Sequence, residues 1–432
     1  MSEQLPVGWS IKLLGDLAQV VSGGTPSRNV PDFWDDGTIP WVTPTDITAA
    51  NGRYISESKD KITKLGLTSC SASMLPPGSI LMTSRATLGE AKISTMSACT
   101  NQGFKSLVAN KGVSSEFLYY QIQRTKQEYA RFGSGSTFLE VSKKDTLGFR
   151  VLLPKEASQI KIAEVLSLVD AQIEATQALI AKQEQVRAGL MQGLFTRGVD
   201  EHGQLRPPRE EAPHLYHQTE LGWLPKGWGA ARLLHLTSRI VDGVHHTPTY
   251  VPQGVPFITV KSLTAGRGID TQQGNFISLS DHRVLQMRAD PRAGDVLVSK
   301  DGTLGVARYV NESVEEFSIF VSVAMLRPIA SLLHPAFLCE FFGTRFYEAQ
   351  MGYLSAGSGL KHIHLEHFRK FVLPRPELSE QVNILEILSS ADQCLVGLED
   401  ALEKLRLQKS GLMQDLLTGK VSVMPIRESA AA

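Results

Sequence analysis

Apolar residues recur along two stretches of the chain at spacings of three and four, the pattern of one face of a helix. In the first stretch this face holds Leu166, Val169, Ile173, Ile180, Leu190 and Leu194. In the second it holds Leu388, Leu395, Leu398, Leu402, Leu405, Leu412 and Leu416. Each series is sustained over four heptads, so both stretches are predicted to be long helices that pack through a coiled-coil seam.

A basic residue interrupts each seam at the same place, Arg187 in the first helix and Lys409 in the second. A polar residue in such a seam usually fixes register or partner at some cost in stability. The helices begin near Gln159 and Gln381, which makes each about 50 Å long. Two seams in one chain pack most simply on each other, so we expect an antiparallel coiled coil that holds two globular parts apart.

The remainder of the chain consists of short β-branched and apolar runs broken by glycine, proline and asparagine. The sequence of the first half, including its helix, is repeated in the second half. "PPGSILMTSRATLG" from Pro76 returns as "RAGDVLVSKDGTLG" from Arg292, and "GLMQGLFTRG" from Gly189 returns as "GLMQDLLTGK" from Gly411. Seven such matches occur in the same order, with offsets of 216 to 224 residues. Repeated similarity of this kind decides the architecture. The sequence predicts an α+β fold with two pseudo-symmetric globular domains, each followed by a long helix.

The repeat and a polar, proline-containing stretch from Asp200 together place the domain boundaries. The predicted segments are a first globular domain at 1–155, a first spacer helix at 156–200, a linker at 201–215, a second globular domain at 216–375, and a second spacer helix with a C-terminal tail at 376–432.

Charge is balanced overall, with 44 basic and 44 acidic residues, but it is unevenly distributed. The globular segments 1–155 and 216–375 carry +4 and +3, whereas segments 156–215 and 376–432 carry −3 and −4. Two basic bodies are a mild indication of a nucleic-acid partner, because phosphates bind Lys and Arg. An excess of this size is also common by chance.

Sequence motifs of catalysis are missing. The chain has no G-x-x-x-x-G-K-[ST] phosphate loop and no glycine-rich dinucleotide fingerprint. "SGGTPSRN" from Ser22 has the glycines of a phosphate-binding turn but favours a structural turn, because nothing after it reads as a helix. The histidines of "HIHLEH" from His362 match no common zinc motif. "PDFWDDG" from Pro31 lacks the following E-x-K of a nuclease and favours a turn.

Four scattered cysteines without a C-x-x-C pair are typical of a reducing cytoplasm. No apolar run approaches the roughly 20 residues of a membrane helix, and the N-terminus does not resemble a signal peptide. We therefore expect a cytoplasmic reader or scaffold protein without its own catalysis, metal or cofactor.

The repeated segments resemble a known family. "LPVGW…LGDLAQVVSGGTPSR…FWDDGTIPWVTPTDI" is similar to the first target-recognition domain of a type I restriction–modification specificity subunit, and "LPKGW…IVDGVHHTPTYVPQGVPFITVKSL" to a second one. The tails that end in "LMQGLFTRG" and "LMQDLLTGK" resemble the conserved helices of that family. The resemblance spans nearly the whole chain.

This resemblance implies a non-catalytic, DNA-binding subunit that reads a bipartite target. It implies two methyltransferase subunits that use S-adenosylmethionine to methylate adenine N6, and restriction subunits that use ATP and Mg²⁺. The helix pair is then expected to set the spacing of two half-sites, which lie about one duplex turn apart when read from one face.

Candidate DNA-contacting residues lie in polar loops that occupy matching places in the two repeats. Those of the first domain are Thr25, Ser27, Arg28, Ser84, Arg85, Ser134, Ser136, Thr137, Lys143 and Lys144; those of the second are His245, His246, Thr247, Lys300 and Lys361. Hydroxyl and basic side chains donate to phosphates and base edges. A plain β-turn is an equal alternative for Arg85 and Lys300, and Ser142 alternatively caps a helix with Asp145.

Two other classes of protein remain as alternatives. A methyltransferase or nuclease that includes such reading domains would need an N-P-P-Y-like stretch and a cofactor loop, and neither is found. A two-lobed interaction scaffold would not bind DNA. A DNA reader differs from it in having binding that weakens steeply with salt.

Overall fold

A computed structural model describes residues 5–133, 139–355 and 361–423 of the chain. Its internal contacts divide the chain into two compact units. Unit 1 contains the residues up to Leu179 together with those from Leu398 onward, and unit 2 is Ile180–Gly397. Both units combine small sheets with helices, which confirms the predicted α+β class.

Unit 1 is built from short strands, shorter helices and one segment of each of two long helices. Its strands are β1 (Ser10–Leu13), β2 (Ala18–Ser22), β3 (Ile39–Val42), β4 (Tyr54–Ile55), β5 (Asp60–Ile62), β6 (Ile80–Met82), β7 (Ala91–Ser94), β8 (Cys99–Thr100), β9 (Lys105–Ala109) and β10 (Arg150–Leu153). Its helices are α1 (Leu14–Leu17), α2 (Pro44–Ala49), α3 (Lys64–Thr68), α4 (Ser115–Ala130), α5 (Lys143–Gly148), the first part of α6 (Glu156–Arg197) and the last part of α13 (Leu378–Leu416).

The sheets of unit 1 pair distant segments of the chain. The largest has the strand order β2-β9-β6-β7-β4, a second has the order β5-β3-β8, and β1 pairs with β10. Strands β3 and β8 run parallel, as do β4 and β7, whereas the other pairs are antiparallel. Helix α4 places Phe117, Leu118 and Tyr120 in the core beneath the largest sheet.

Unit 2 repeats this construction. Its strands are β11 (Tyr216–Thr219), β12 (Gly222–Pro225), β13 (Gly229–Arg232), β14 (Thr237–Asp242), β15 (Tyr250–Val251), β16 (Val255–Ile258), β17 (Asn275–Ile277), β18 (Val296–Ser299), β19 (Ala307–Tyr309), β20 (Ser318–Ile319), β21 (Val323–Pro328) and β22 (Val372–Arg375). Its helices are the last part of α6, α7 (Leu233–Leu236), α8 (Val260–Thr264), α9 (Leu279–Gln286), α10 (Pro335–Phe341), α11 (Arg345–Ser355), α12 (Leu365–Lys370) and the first part of α13.

The sheets of unit 2 have the same plan as those of unit 1. The order β14-β21-β18-β19 matches β2-β9-β6-β7, and β13 pairs with β22 as β1 pairs with β10. Strand β16 runs parallel to β20, as β3 does to β8. The sequence repeat is therefore a repeat of topology.

Each long helix contributes to both hydrophobic cores. Near its start, α6 places Ile162 and Leu166 in the core of unit 1, and at its end it places Leu194 and Phe195 in the core of unit 2. Helix α13 does the reverse, because Ile384 and Leu388 lie in the core of unit 2 whereas Leu416 and Leu417 lie in that of unit 1. The repeated segments that begin with "GLMQ" thus contain the apolar residues that the end of each helix buries in a core.

The positions predicted for the coiled-coil seam are all buried or half-buried. Within unit 1 the seam residue Lys409 of α13 forms an ion pair with Asp170 of α6, at 2.6 Å. Within unit 2 the seam residue Arg187 of α6 forms one with Asp392 of α13, at 2.5 Å. The two pairs join equivalent positions of the repeat with the helices exchanged, as antiparallel packing requires.

The connection between the two repeats is tied to unit 2. Arg206 donates to the carboxylate of Glu380 and to the carbonyl oxygen of Arg197, the latter at 3.1 Å. The indole of Trp228 also donates to Glu380, at 2.9 Å. In the described part of the chain, the helices are all too short or too polar to cross a membrane.

Replacing Phe195 with alanine should lower the free energy of unfolding by about 3–5 kcal/mol, because the ring is fully buried and stacks on Phe337 at 4.5 Å. Leu168→Ala on the same helix is the control; this leucine is 68% exposed, and its loss should cost less than about 0.5 kcal/mol. Denaturant unfolding of the full chain measures both variants. Equal effects would show that the end of α6 does not support the core.

Candidate nucleic-acid interface

The candidate residues of unit 1 lie in loops that meet beyond the ends of β2, β6 and β9. Thr25, in the exposed loop after β2, donates to the side chain of Gln102 in the loop before β9. The neighbouring Gly103 accepts a hydrogen bond from the backbone of Ser84, after β6, at 2.7 Å. The amide of Val141 donates in turn to the carbonyl oxygen of Ser84, at 3.0 Å. Four segments from separate parts of the sequence therefore form one cluster.

Glycine allows the first of these loops to pass close to its neighbour. A Cβ atom on Gly23 would lie 2.0 Å from the carbonyl oxygen of Asn101, and one on Gly243 in unit 2 would lie 1.9 Å from that of Ile319. Neither contact is possible for a larger residue. This explains the glycines of "SGGTPSRN" as a structural turn.

Arg28 is exposed but held in place. Its guanidinium lies 3.6 Å above the ring of Trp34 and forms an ion pair with Asp60 at 2.5 Å. Ser27 is exposed beside it, and its carbonyl oxygen accepts from the indole of Trp34 at 2.9 Å. The segment "PDFWDDG" therefore serves to support this loop.

Arg85 is the exposed end of a chain of ionic contacts. Its Nε and Nη2 donate to Glu140, at 2.8 and 2.7 Å. Glu140 also accepts from the ammonium of the buried Lys105, at 3.1 Å. Burial opposes the charge of Glu140, but the hydrogen bonds from Arg85 and Lys105 outweigh it and lower the pKa of this carboxyl. Ser84 is fully buried, and its hydroxyl accepts from Lys105 at 3.2 Å.

The remaining candidates of unit 1 surround α5. Lys143 and Lys144 are exposed in its first turn, and Ser142 caps it by accepting from the amide of Asp145 at 3.1 Å. Ser142 therefore has the capping role that the sequence allowed for it. Ser134, Ser136 and Thr137 lie outside the described residues.

In unit 2, His245, His246 and Thr247 are exposed at the place of the first loop. The imidazole of His245 lies 2.9 Å from Nη2 of Arg288. Lys361, which precedes α12 as Lys143 begins α5, is exposed as well.

Lys300 differs from these residues, because its side chain is only 3% exposed. Its ammonium forms an ion pair with the buried Asp242 at 3.0 Å and lies 3.4 Å from the imidazole of His362. Burial opposes the charge of Asp242, but hydrogen bonds from Arg288 and Lys300 lower the pKa of this carboxyl. The Lys300 ammonium therefore forms part of a buried ion pair inside unit 2 and is not presented on its surface.

The two repeats place opposite charges at one structural position. Arg85 bridges to Glu140 in unit 1, and the equivalent Asp301 bridges to His362 in unit 2. In both units the pair joins the loop after the central strand, β6 or β18, to the segment before a short helix. The two units share the backbone arrangement at this position, but the loop side chain is basic in unit 1 and acidic in unit 2.

Gln102, Lys105, Glu140, Asp242 and Arg288 were not among the candidates from the sequence. No local motif distinguishes them. Gln102, Lys105 and Glu140 contact Thr25, Ser84 and Arg85, respectively, and the members of these pairs lie 21 to 77 residues apart in the sequence. The alignment of the repeats could have directed attention to Asp242, since it stands where unit 1 has Ser22. Among the described residues, histidine, cysteine, aspartate and glutamate form no cluster suited to a metal ion.

Comparison with known proteins matches both repeats. A sequence profile of the type I restriction modification DNA specificity domain matches residues 6–185 and 249–405. The chain is similar to the MjaIX specificity subunit of Methanocaldococcus jannaschii, with 27% identity over 97% of this chain and 95% of the relative. It is also similar to the MjaVIII specificity subunit of that organism, with 20% identity over 97% and 94%.

Solved structures share the fold over the full length. The S subunit from M. genitalium superimposes with a TM-score of 0.55, 15% identity, and coverage of 96% of this chain and 98% of the other. A chain from a study of complex assembly and conformational transition of the type I R-M system gives a TM-score of 0.58, 19% identity, and coverage of 97% and 100%.

The loop after the central strand has the same left-handed residue in both units, with φ of 59° at Ala86 and 67° at Gly302. Alanine is strained in this region and glycine is not. We expect Gly302→Ala to lower the free energy of unfolding by about 1–2 kcal/mol, and Ala86→Gly to leave it unchanged or raise it by less than about 1 kcal/mol. Denaturant unfolding checks both, and shifts of the same sign would contradict the shared backbone geometry.

Proposed function

Because the chain belongs to the family of type I restriction–modification DNA specificity subunits, we propose that it reads a bipartite DNA target and directs adenine-N6 methylation and ATP-dependent restriction by partner subunits. As a member of this family it is a non-catalytic DNA-recognition subunit. We further propose that it acts in the cytoplasm, in a complex with two methyltransferase subunits and with restriction subunits.

One observation carries the bipartite target: a duplicated fold presents two loop clusters of matching position but different chemistry. Unit 1 has Thr25 and Arg85 at the positions where unit 2 has His245 and Asp301, respectively. Two domains with one backbone plan and different surface side chains are suited to two different half-sites, since hydrogen-bonding groups on base edges distinguish sequence.

The proposed cofactors belong to the partners. S-adenosylmethionine would be bound by the methyltransferase subunits, and ATP with Mg²⁺ by the restriction subunits. The missing phosphate loop and dinucleotide fingerprint in this chain agree with that division.

Deleting the gene should remove one bipartite adenine-methylation motif from the genome of the host. The reason is that the partner methyltransferases would lose the subunit that selects their target. Sequencing that detects methylated adenine, in cells with and without the gene, gives both the function and the two half-sites. Complementation with the intact gene is the control. An unchanged methylome, with the methyltransferase subunits expressed, would contradict the proposal.

The proposal includes a role for α6 and α13 in setting the spacing of the half-sites. Four residues inserted after Ala175 and four after Lys404 would lengthen both helices by about 6 Å, close to two base-pair steps. These positions lie five residues from Asp170 and Lys409, whose ion pair sets the local register. The methylated motif should keep both halves and gain one or two unspecified base pairs.

Insertion of two residues at the same positions is the matched control. It turns the following seam residues by about 200°, away from their partners, whereas four residues restore nearly a full turn. The two-residue variant should therefore lose methylation. Methylation at the original spacing by the four-residue variant would show that the helices do not measure distance.

A further inference from the structure

Each unit contains a triad of one buried lysine, one carboxylate and one exposed arginine. In unit 1 the triad is Lys105, Glu140 and Arg85, and in unit 2 it is Lys300, Asp242 and Arg288. The members come from different elements in the two units, so the triads are not copies made by the sequence repeat.

The lysine is the buried member in both triads, with 7% exposure for Lys105 and 3% for Lys300. Both ammonium groups lie at the loop after the central strand: Lys105 donates to Ser84 of that loop, and Lys300 occupies the position equivalent to Ser84. A buried cation is strongly destabilising without its counter-ion. The lysine therefore holds the carboxylate in place.

The Nε–Nη2 edge of the arginine is held in both units, by the carboxylate alone in unit 1 and by the carboxylate together with backbone carbonyl oxygens in unit 2. Nε and Nη2 of Arg85 donate to Glu140. Nη2 of Arg288 donates to Asp242, and its Nε donates to the carbonyl oxygen of Gly243 at 2.7 Å. A guanidinium has five N–H donors in a rigid fork, so this arrangement fixes its orientation without using all of its donors.

The arginines remain accessible, with 42% of the Arg85 side chain and 46% of the Arg288 side chain exposed. Each triad has two positive groups and one negative group. The excess charge of +1 therefore belongs to an exposed, oriented guanidinium. A fixed fork suits the paired O6 and N7 acceptors of guanine, whereas a phosphate is accessible in many orientations.

We propose that Arg85 and Arg288 are corresponding base-contacting residues of the two units, and that Glu140 and Asp242 are positioning residues that orient them. This inference rests on the proposed function. It assigns the contact in unit 2 to Arg288, a residue outside every motif of the sequence, and gives Lys300 a supporting role.

The first test compares Arg288→Ala with Arg283→Ala in the full chain, purified with the subunits that assemble with it. Arg283 is an exposed arginine on α9, five residues earlier. Two duplexes serve as probes: one carries the motif found by methylation sequencing, and the other is a random-sequence pool. Arg288→Ala should weaken binding to the motif duplex by about 10- to 100-fold, and Arg283→Ala by less than two-fold. Equal effects of the two variants would overturn the assignment.

The second test is Glu140→Gln, which keeps Arg85 and raises the charge of unit 1 by one. If Glu140 orients Arg85, the ratio of motif to random-pool affinity should fall by about 10-fold or more, despite the added positive charge. If only charge matters, both affinities should rise together, because salt-dependent phosphate binding strengthens with net charge. That outcome would overturn the positioning role. Glu140→Gln also removes the counter-ion of the buried Lys105, so the melting temperature should fall. It is measured alongside, and both affinities are determined at a temperature at which the variant is folded.

The two proposals fail in different ways. A wild-type complex that binds the motif duplex and the random pool equally would refute the proposed function. A wild-type complex that discriminates, with Arg288→Ala and Glu140→Gln variants that discriminate equally well, would refute the triad alone.

Discussion

Burial of the last turns of α6 and α13 is the interaction on which the rest of the structure depends. The core of unit 2 includes Leu194 and Phe195, and that of unit 1 includes Leu416 and Leu417. Unit 1 is therefore completed by residues that follow the whole of unit 2 in the chain. Separating the two sequence repeats would remove these apolar residues from both cores and expose them to water, at a cost set by the buried apolar area. The folding units and the sequence repeats are thus different divisions of the same chain.

Charged residues fix the register of the helix seam, which apolar packing alone leaves undetermined. A leucine seam tolerates a shift by one heptad, because it then meets leucines again. The ion pairs Asp170–Lys409 and Arg187–Asp392 do not tolerate it, since a shift would leave half-buried charges without partners. Arg187 also donates to Glu340 of α10, so the seam of unit 2 is joined to its globular part. Burial raises the pKa of Glu340, and Arg187 opposes that shift.

The loop clusters show how a duplicated backbone presents two different surfaces. The left-handed residue at Ala86 and Gly302 and the close approach at Gly23 and Gly243 are shared, because they are demands of the backbone. The side chains on that backbone are free to differ, and at Arg85 and Asp301 they have opposite charge.

The sequence by itself determined the duplication, the two heptad helices with their basic seam residues, the α+β class and the family, which the comparisons confirm. These features are local or periodic, so they are visible without knowing which segments meet. It also predicts Arg85 and Lys300 as DNA contacts, because both lie in the aligned loops that follow β6 and β18. Only the tertiary structure separated them: Lys300 points into a buried ion pair with Asp242, at the place that Lys105 occupies from another strand in unit 1. Whether a lysine is buried or exposed depends on which loops converge around it, and that is decided by packing between segments far apart in the chain.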